Sequence, residues 1–239
     1  KFLDRGGLRG TRIGVIRKFF DFNDALGPLM ESLLDAMRRE GAVLVDPVEI
    51  ASIGKFDKSE IEVLEYEFKA DLNAYLKAAG AKVPVHSLKE IIEFNERNRE
   101  KEMPFFAQDI MLKSEAKGPL TDSAYREALE LNHRLTRAEG IDGVMDQHKL
   151  DALFAPTAGP SWLTDHLTGD HDTGGSSSLA AVAGYPNINV PAGFVFGMPV
   201  GVSFFGRAWS EPMLIKIAYA FEDATRVRRP PKFLASVEV

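Results

Sequence analysis

The fold is decided by residues 187–205, which read NINVPAGFVFGMPVGVSFF. Two runs within this stretch, 187–192 and 199–205, are rich in β-branched and aromatic residues, which favour strands. Gly193 and Gly197 lie between the two runs and are typical of a turn or bulge. The stretch therefore predicts a β-hairpin.

Elements on both sides of this hairpin extend it into an α/β fold. Residues 212–226 place apolar side chains at helical spacing, which predicts an amphipathic helix packed on the sheet. Near the N-terminus, residues 11–16 and 42–48 are predicted strands and 27–40 a predicted helix between them. This order indicates a βαβ unit with parallel strands. A further strand is predicted at 152–155.

The middle of the chain is charged and reads as helical. From Lys58 to about Lys117 the apolar residues follow a helical period, with breaks at Pro84 and Pro104. A second long helix is predicted from a cap at 121–123 to about His148. We therefore expect a helical segment at about 57–149.

Bulk composition restricts the class of protein. The chain has 239 residues, 45% of them hydrophobic, which is enough for a sizeable core. A formal net charge of −6 provides no basic surface for phosphates, so a small neutral substrate fits better than nucleic acid. With no cysteine, disulfides, thiolate metal sites and a Cys nucleophile are excluded. No apolar run approaches the ~20 residues of a membrane span, and we expect a cytoplasmic protein.

A Gly- and hydroxyl-rich segment, 172–178 (DTGGSSS), is the local motif with the most chemical content. Its two glycines allow a sharp turn, and the N–H groups of the helix predicted to follow favour a carbonyl oxygen or an oxyanion. Three interpretations remain open. Thr173 or Ser176 caps the helix, the hydroxyls face a ligand, or Ser176 is a nucleophile.

The nucleophile interpretation requires a base, and the sequence selects none. The candidate histidines are His86, His133, His148, His166 and His171. A metal site around 165–172 is a weaker possibility, because the Asp and His residues there lack the i, i+4 spacing of helical metal ligands. A solvated acidic loop is the simpler interpretation.

The closing segment, 176–225, resembles that of the amidase-signature family of amide hydrolases. The family pattern of Ala-Gly-x-Pro, Val-Pro-Ala-Gly, Gly-x-Pro-Val-Gly and aromatic-Gly is matched in order by 183–186, 190–193, 197–201 and 205–206. Two weaker similarities are GLRGTRIGV at 7–15 and DALFAPT at 151–157. The resemblance therefore spans nearly the whole chain.

The resemblance implies an α/β fold with a mixed, largely parallel sheet flanked by helices, and hydrolysis of carboxylic amides by a Ser-Ser-Lys triad without a cofactor. In the family the triad precedes the segment matched by 7–15. In this chain only a few residues stand before that segment. We therefore expect 1–239 to be the C-terminal half of an amidase domain, an incomplete amidase-signature fold that is inactive in isolation. Although 172–176 spells the DTGGS of the family's nucleophilic segment, it stands in the wrong order, so no catalytic residue is assigned.

We expect the loop 156–178 to form one wall of the substrate pocket in the full-length enzyme, because ligands of open α/β sheets bind outside strand ends. Trp162 would supply apolar area, and the hydroxyls would supply directional hydrogen bonds. The candidate substrate-binding residues are Thr157, Trp162, Asp172, Thr173, Ser176 and Ser177.

The implied partners are a small-molecule amide and an N-terminal catalytic half, with no metal, nucleic acid or membrane. An alternative function is a non-catalytic binding or assembly module. It would associate with itself or a partner through an exposed sheet edge on the apolar strands 13–16 and 187–205.

Overall fold

The structure is a computed structural model that describes residues 1–233. Within them the chain divides into two compact units, one formed by Lys1–Ile53 and the chain from Arg134 onward, the other by Gly54–His133. The strands, all in the first unit, are β1 (Arg12–Val15), β2 (Val43–Val45), β3 (Ala152–Pro156), β4 (Asn187–Val195) and β5 (Met198–Phe205). The helices are α1 (Leu26–Arg39), α2 (Asp57–Ala79), α3 (Leu88–Arg97), α4 (Arg99–Glu102), α5 (Asp109–Glu115), α6 (Ser123–His133), α7 (Asp142–His148), α8 (Ser177–Ala183) and α9 (Glu211–Thr225).

The strands form one mixed sheet in the order β2-β1-β3-β5-β4. β1 pairs in parallel with β2 and β3, whereas β5 pairs antiparallel with β3 and β4. The predicted βαβ unit and hairpin are therefore confirmed, as is the α/β class with helices flanking a mixed sheet. Parallel and antiparallel pairings are equally represented in it. The hairpin carries a β-bulge between Pro191 and Gly193.

One face of the sheet packs against α1 and α9. Phe154 of β3 and Phe204 of β5 are paired across the two strands and lie on this face, with ring centroids 5.4 Å apart. Phe221 of α9 meets Phe204 edge to face at 5.3 Å. Burying three fully enclosed aromatic rings contributes about 1.5–3 kcal/mol each, so this cluster ties α9 to the sheet.

The opposite face is buried by a second set of helices. The paired residues Leu153 and Phe205 point to this side and are fully buried. α8 packs against β4 and against a π-helical segment, Arg134–Ile141, that precedes α7. This placement matters for function because the N-terminal end of α8 lies beside the end of β3.

The predicted helix from 121 to 148 is in fact three pieces. Helical dihedrals fail at Gly140, where φ is −115° and ψ is −113°. A Cβ there would lie 2.7 Å from the carbonyl oxygen of Leu135, so only glycine fits this kink. The helical period of the apolar residues continues across the break, which is why the pattern predicts one helix. Residues 134–148 consequently group with the sheet, and the helical unit ends at His133.

The helical unit, Gly54–His133, has a small core of its own. Val63 and Tyr66 of α2 pack against Tyr125 of α6, and the two tyrosine ring centroids are 5.6 Å apart. Lys69 of α2 donates to the carbonyl oxygens of Glu115 and Lys117, which anchors the end of α5. None of the helices described in residues 1–233 combines the length and apolar character needed to cross a membrane.

Candidate substrate-contact site

Thr157 lies immediately after β3, at the carboxyl end of that strand. Its backbone N–H donates to the carbonyl oxygen of Gly201 on β5 at 2.9 Å, which continues the β3–β5 pairing by one residue. Because the five residues of β3 are all buried, Thr157 is the point where this strand reaches the surface. The predicted site residue Thr157 is thus held by the sheet and not by a free loop.

The Thr157 side chain belongs to a row of polar groups that crosses three neighbouring strands. Its Oγ1 lies 2.9 Å from Oγ of Ser203, and either hydroxyl can be the donor. Asn189 of β4 donates from Nδ2 to the same Thr157 oxygen. Asn189 and Ser203 are register partners in the hairpin, which brings all three groups to one end of the sheet.

The loop that leaves Thr157 returns to it at Ser176. The N–H of Ser176 donates to the Thr157 carbonyl oxygen at 2.9 Å, and Ala158 forms an antiparallel bridge with Gly175. A Cβ at Gly175 would lie 2.9 Å from that carbonyl oxygen, and Gly174 has a φ of +84°. Both glycines of the DTGG segment are therefore needed for the sharp turn.

Two hydroxyls in this return are buried without a hydrogen-bond partner among residues 1–233. They are Thr173 Oγ1 and Ser176 Oγ, and Ser176 is only 1% exposed. Leaving such a group unsatisfied costs about 1–3 kcal/mol, so native proteins rarely tolerate it without a reason. Ser176 stands at the start of α8 but makes no side-chain capping bond. The capping interpretation is therefore wrong, because neither oxygen bonds to a helix N–H.

Ser176 also lacks the environment of a nucleophile. An activated serine needs a base within hydrogen-bond reach of its oxygen. No side chain in the described part of the chain hydrogen-bonds to Ser176 Oγ, and the residue is almost completely enclosed. The geometry favours the ligand-facing interpretation among the three.

The acidic loop between Thr157 and Thr173 is built from local turns. Asp165 accepts hydrogen bonds from the Thr168 hydroxyl and from the N–H groups of Thr168 and Leu167, and these bonds lower the pKa of its carboxyl group. Asp170 accepts from the N–H of Asp165, and Asp172 from that of Gly174. Across residues 1–233, no cluster of three His, Asp or Glu side chains is arranged to hold a metal ion.

The six predicted site residues separate into two groups. Thr157 and Ser176 are joined by the backbone bond described above, and Thr173 precedes Ser176 in the same turn. Trp162 is 41% exposed, and Asp172 and Ser177 are also on the surface. Within residues 1–233, no recorded hydrogen bond connects these three side chains to the polar row.

Two residues of the polar row, Asn189 and Ser203, are absent from the sequence-based set. Ser203 interrupts the apolar run GVSFF, and a polar residue inside a buried strand is the signal that could have revealed it. Asn189 is exposed and alternates with apolar residues in NINV, so the sequence gives no such signal for it. Their proximity to Thr157, however, depends on the position of β5 between β3 and β4, and no local sequence pattern predicts that strand order.

A family model described as Amidase matches residues 3–215. A protein from Arabidopsis thaliana with the name "Probable amidase" is 38% identical over 241 residues, which cover 98% of this chain and 42% of that protein.

Among solved structures, a peptide amidase in complex with the competitive inhibitor chymostatin superimposes with a TM-score of 0.92 at 44% identity, covering 97% of this chain and 47% of that one. The native peptide amidase from Stenotrophomonas maltophilia gives 0.87 at 41% identity, covering 97% of this chain and 46% of that one. The chain thus spans less than half the length of the relatives it matches.

Proposed function

The chain belongs to the amidase family, and we propose that it is part of an enzyme that hydrolyses carboxylic amides. Its own role is to form one wall of the substrate pocket at the carboxyl end of β3. The residues proposed to contact the substrate lie in the loop 156–178. They are Thr157, Trp162, Asp172, Thr173, Ser176 and Ser177.

The observation that carries this proposal is the pair of buried hydroxyls without partners, Thr173 Oγ1 and Ser176 Oγ. A hydroxyl can donate to a carbonyl oxygen and accept from an N–H, which are the two groups of an amide. A substrate amide beside these oxygens would satisfy them and remove the cost of their burial. Hydrogen bonds among Asn189, Thr157 and Ser203 hold polar side chains in place next to these two hydroxyls, which also supports a polar contact site there.

The catalytic triad of the complete enzyme, in this proposal, lies in the N-terminal half of the amidase fold. The family order of the motifs supports this, because the Ser-Ser-Lys residues precede the segment that 7–15 resembles. The enclosed Ser176, with no base bonded to it within residues 1–233, supports it independently. The chain alone would then bind one side of the substrate without cleaving it.

Association through a sheet edge, the alternative function, finds less support. β1 is an interior strand, so 13–16 presents no edge, whereas the hairpin 187–205 contributes β4 as an edge strand. β4 is an edge strand, but Pro191 removes a donor from it and the bulge at Gly193 interrupts its register. β2 has only three residues, and prolines, bulges and short edge strands are all devices by which proteins avoid edge pairing.

A substitution of Ser176 tests the proposal in the complete protein. Ser176→Ala removes a buried hydroxyl and leaves the backbone bond to Thr157 in place. We expect the ratio of kcat/KM values between good and poor amides to change. Expressed as transition-state free energy the change should be about 1–3 kcal/mol, the usual scale for an altered pocket contact. Peptide amides belong in the substrate panel because the 44% identical relative is a peptide amidase.

The matched control is Ser178→Ala, two residues further along the chain and exposed. It should leave the same ratios unchanged. If Ser176→Ala folds as the parent does and its relative rates across the panel equal those of Ser178→Ala, the buried hydroxyl does not face the substrate and the pocket assignment fails.

A further inference from the structure

A second pocket lies at the other end of the sheet from Thr157. It has a volume of about 480 Å³ and is lined by Arg137, Tyr185, Trp209 and Glu211 among others. Tyr185 precedes the first residue of β4, which pairs with Phe205, and Phe205 in turn pairs with Leu153 near the start of β3. The lining of this pocket includes none of the residues proposed to contact the amide.

Arg137 is the positively charged residue of this pocket, and its side chain is held in place from two sides. Its Nε donates to the carbonyl oxygen of Ala183 at 2.8 Å, and its guanidinium carbon lies 5.5 Å from the centroid of the Tyr185 ring. The Tyr185 hydroxyl donates to Asp142 at 2.7 Å, which fixes the ring.

No carboxylate within residues 1–233 forms an ion pair with Arg137. The Nε bond leaves the two terminal nitrogens of the guanidinium without a recorded partner in the same range. A planar guanidinium fixed in this way matches the geometry of a carboxylate.

Trp209 is the apolar group of the pocket, and its backbone is strained. The residue has a φ of +65° and its side chain is 88% exposed. A bulky residue in the left-handed region costs about 1–3 kcal/mol, and an exposed indole recovers none of that by burial. Both features are unfavourable for folding alone, and they leave an aromatic surface in the lining of the pocket that Arg137 also lines.

We propose that this pocket binds an organic anion that combines a carboxylate with an aromatic ring. The carboxylate pairs with the terminal nitrogens of Arg137, and the ring packs on Trp209. Glu211 also lines the pocket and opposes a carboxylate there, but its exposure to water weakens the repulsion. The proposal does not depend on the amide-hydrolysing function.

Ligand-observed NMR titrations of the 239-residue chain test the proposal with three probes, phenylacetate, 2-phenylethanol and acetate. Phenylacetate should bind at least tenfold more tightly than the neutral ring or the carboxylate alone. Arg137→Met and Trp209→Ala should each weaken phenylacetate binding by tenfold or more. Arg134→Met is the matched control, because it removes a neighbouring exposed guanidinium that pairs with Glu139, and it should bind as the parent does.

Two further results keep the test decisive. If Arg137→Met unfolds, Arg137→Lys keeps the charge but loses the two-pronged geometry, and should weaken binding severalfold. Trp209→Ala changes an exposed side chain, so its fold is expected to persist. Equal affinity for phenylacetate and 2-phenylethanol, or unchanged phenylacetate binding by folded Trp209→Ala, would overturn the assignment.

Discussion

The hydroxyl oxygens of Thr157 and Ser203 lie 2.9 Å apart, although 46 residues separate them in the chain. Thr157 follows β3, whereas Ser203 is inside β5 and is 1% exposed. Their bond joins the end of one strand to the interior of its neighbour. It thereby holds the loop that begins at Thr157 in a defined position on the sheet.

Replacing Thr157 by Val is expected to destabilise the chain by about 1–3 kcal/mol, because the enclosed Ser203 hydroxyl then loses its partner. Urea unfolding of the 239-residue chain measures this. Thr164→Val, at an exposed position of the same loop, should change stability by less than about 0.5 kcal/mol. Adding Ser203→Ala to Thr157→Val should cost less than the sum of the single changes. Strict additivity would show that the two hydroxyls do not interact.

Gly201→Ala is expected to disrupt the polar row. A Cβ at Gly201 would overlap the side-chain amide of Asn189, whose Cγ it would approach to 3.1 Å. Asn189 is exposed and can move away from Thr157, so we expect a loss of about 0.5–1.5 kcal/mol in stability, the net contribution of one hydrogen bond. The double variant Asn189→Ala and Gly201→Ala should recover much of the loss, since the obstructing amide is gone.

The control for this prediction is Gly27→Ala in α1, where an added Cβ meets nothing within 4 Å. It should be neutral or stabilising by up to about 1 kcal/mol. A Gly201→Ala protein as stable as the parent would mean that the strand ends adjust freely and that Asn189 is not held in place.

The isolated 239-residue chain is predicted to hydrolyse neither simple amides nor aryl esters above background. The physical reason is that Ser176 Oγ has no base bonded to it within residues 1–233, so its nucleophilicity stays low. A serine-reactive phosphonate followed by peptide mass mapping tests this directly. Labelling at Ser176 that disappears in Ser176→Ala would overturn the prediction.

Trp162→Ala in the complete enzyme is expected to alter the ranking of amide substrates. The indole is 41% exposed and supplies apolar area on the proposed pocket wall, so kcat/KM ratios between large and small acyl groups should shift by about 1–3 kcal/mol. Leu167→Ala is the control, because Leu167 is 96% exposed in the same loop. If both variants shift the ratios equally, the effect belongs to the loop as a whole.

The stability of the helical unit should depend on alkaline pH through Tyr125. Its hydroxyl donates to Glu67 at 2.7 Å, and this bond to a carboxylate, with burial, raises the pKa of Tyr125 to about 12. An unfolded tyrosine has a pKa near 10, so the folded state retains the proton more strongly. The contribution is therefore complete below pH of about 10 and is lost as the pH rises toward about 12.

Urea unfolding of the parent and of Tyr125→Phe, compared across this pH range, measures the effect. The stability advantage of the parent should shrink as the pH rises through the window. An advantage that stays constant with pH would mean that the hydrogen bond to Glu67 does not bias the titration.

The elements of the sheet follow from local pattern because their apolar periods are unambiguous. The stretch 187–205 predicts the hairpin, and the strand, helix and strand between residues 11 and 48 predict the parallel pair. The four ordered motifs at 183–186, 190–193, 197–201 and 205–206 similarly identified the family. The kink at Gly140 escaped prediction because the apolar period runs on through it.

The candidate site was only half visible in the sequence. Local composition selected Thr157, Thr173 and Ser176, because glycines and hydroxyls at a strand end mark a functional turn. The sequence by itself therefore determined the family, the strands and the loop that carries the candidate site. Only the tertiary structure decided that Asn189 and Ser203 complete the row and that Arg137 lies beside Trp209. The physical reason is that these contacts arise from strand order and helix packing between segments tens of residues apart, and no local periodicity encodes such a distance.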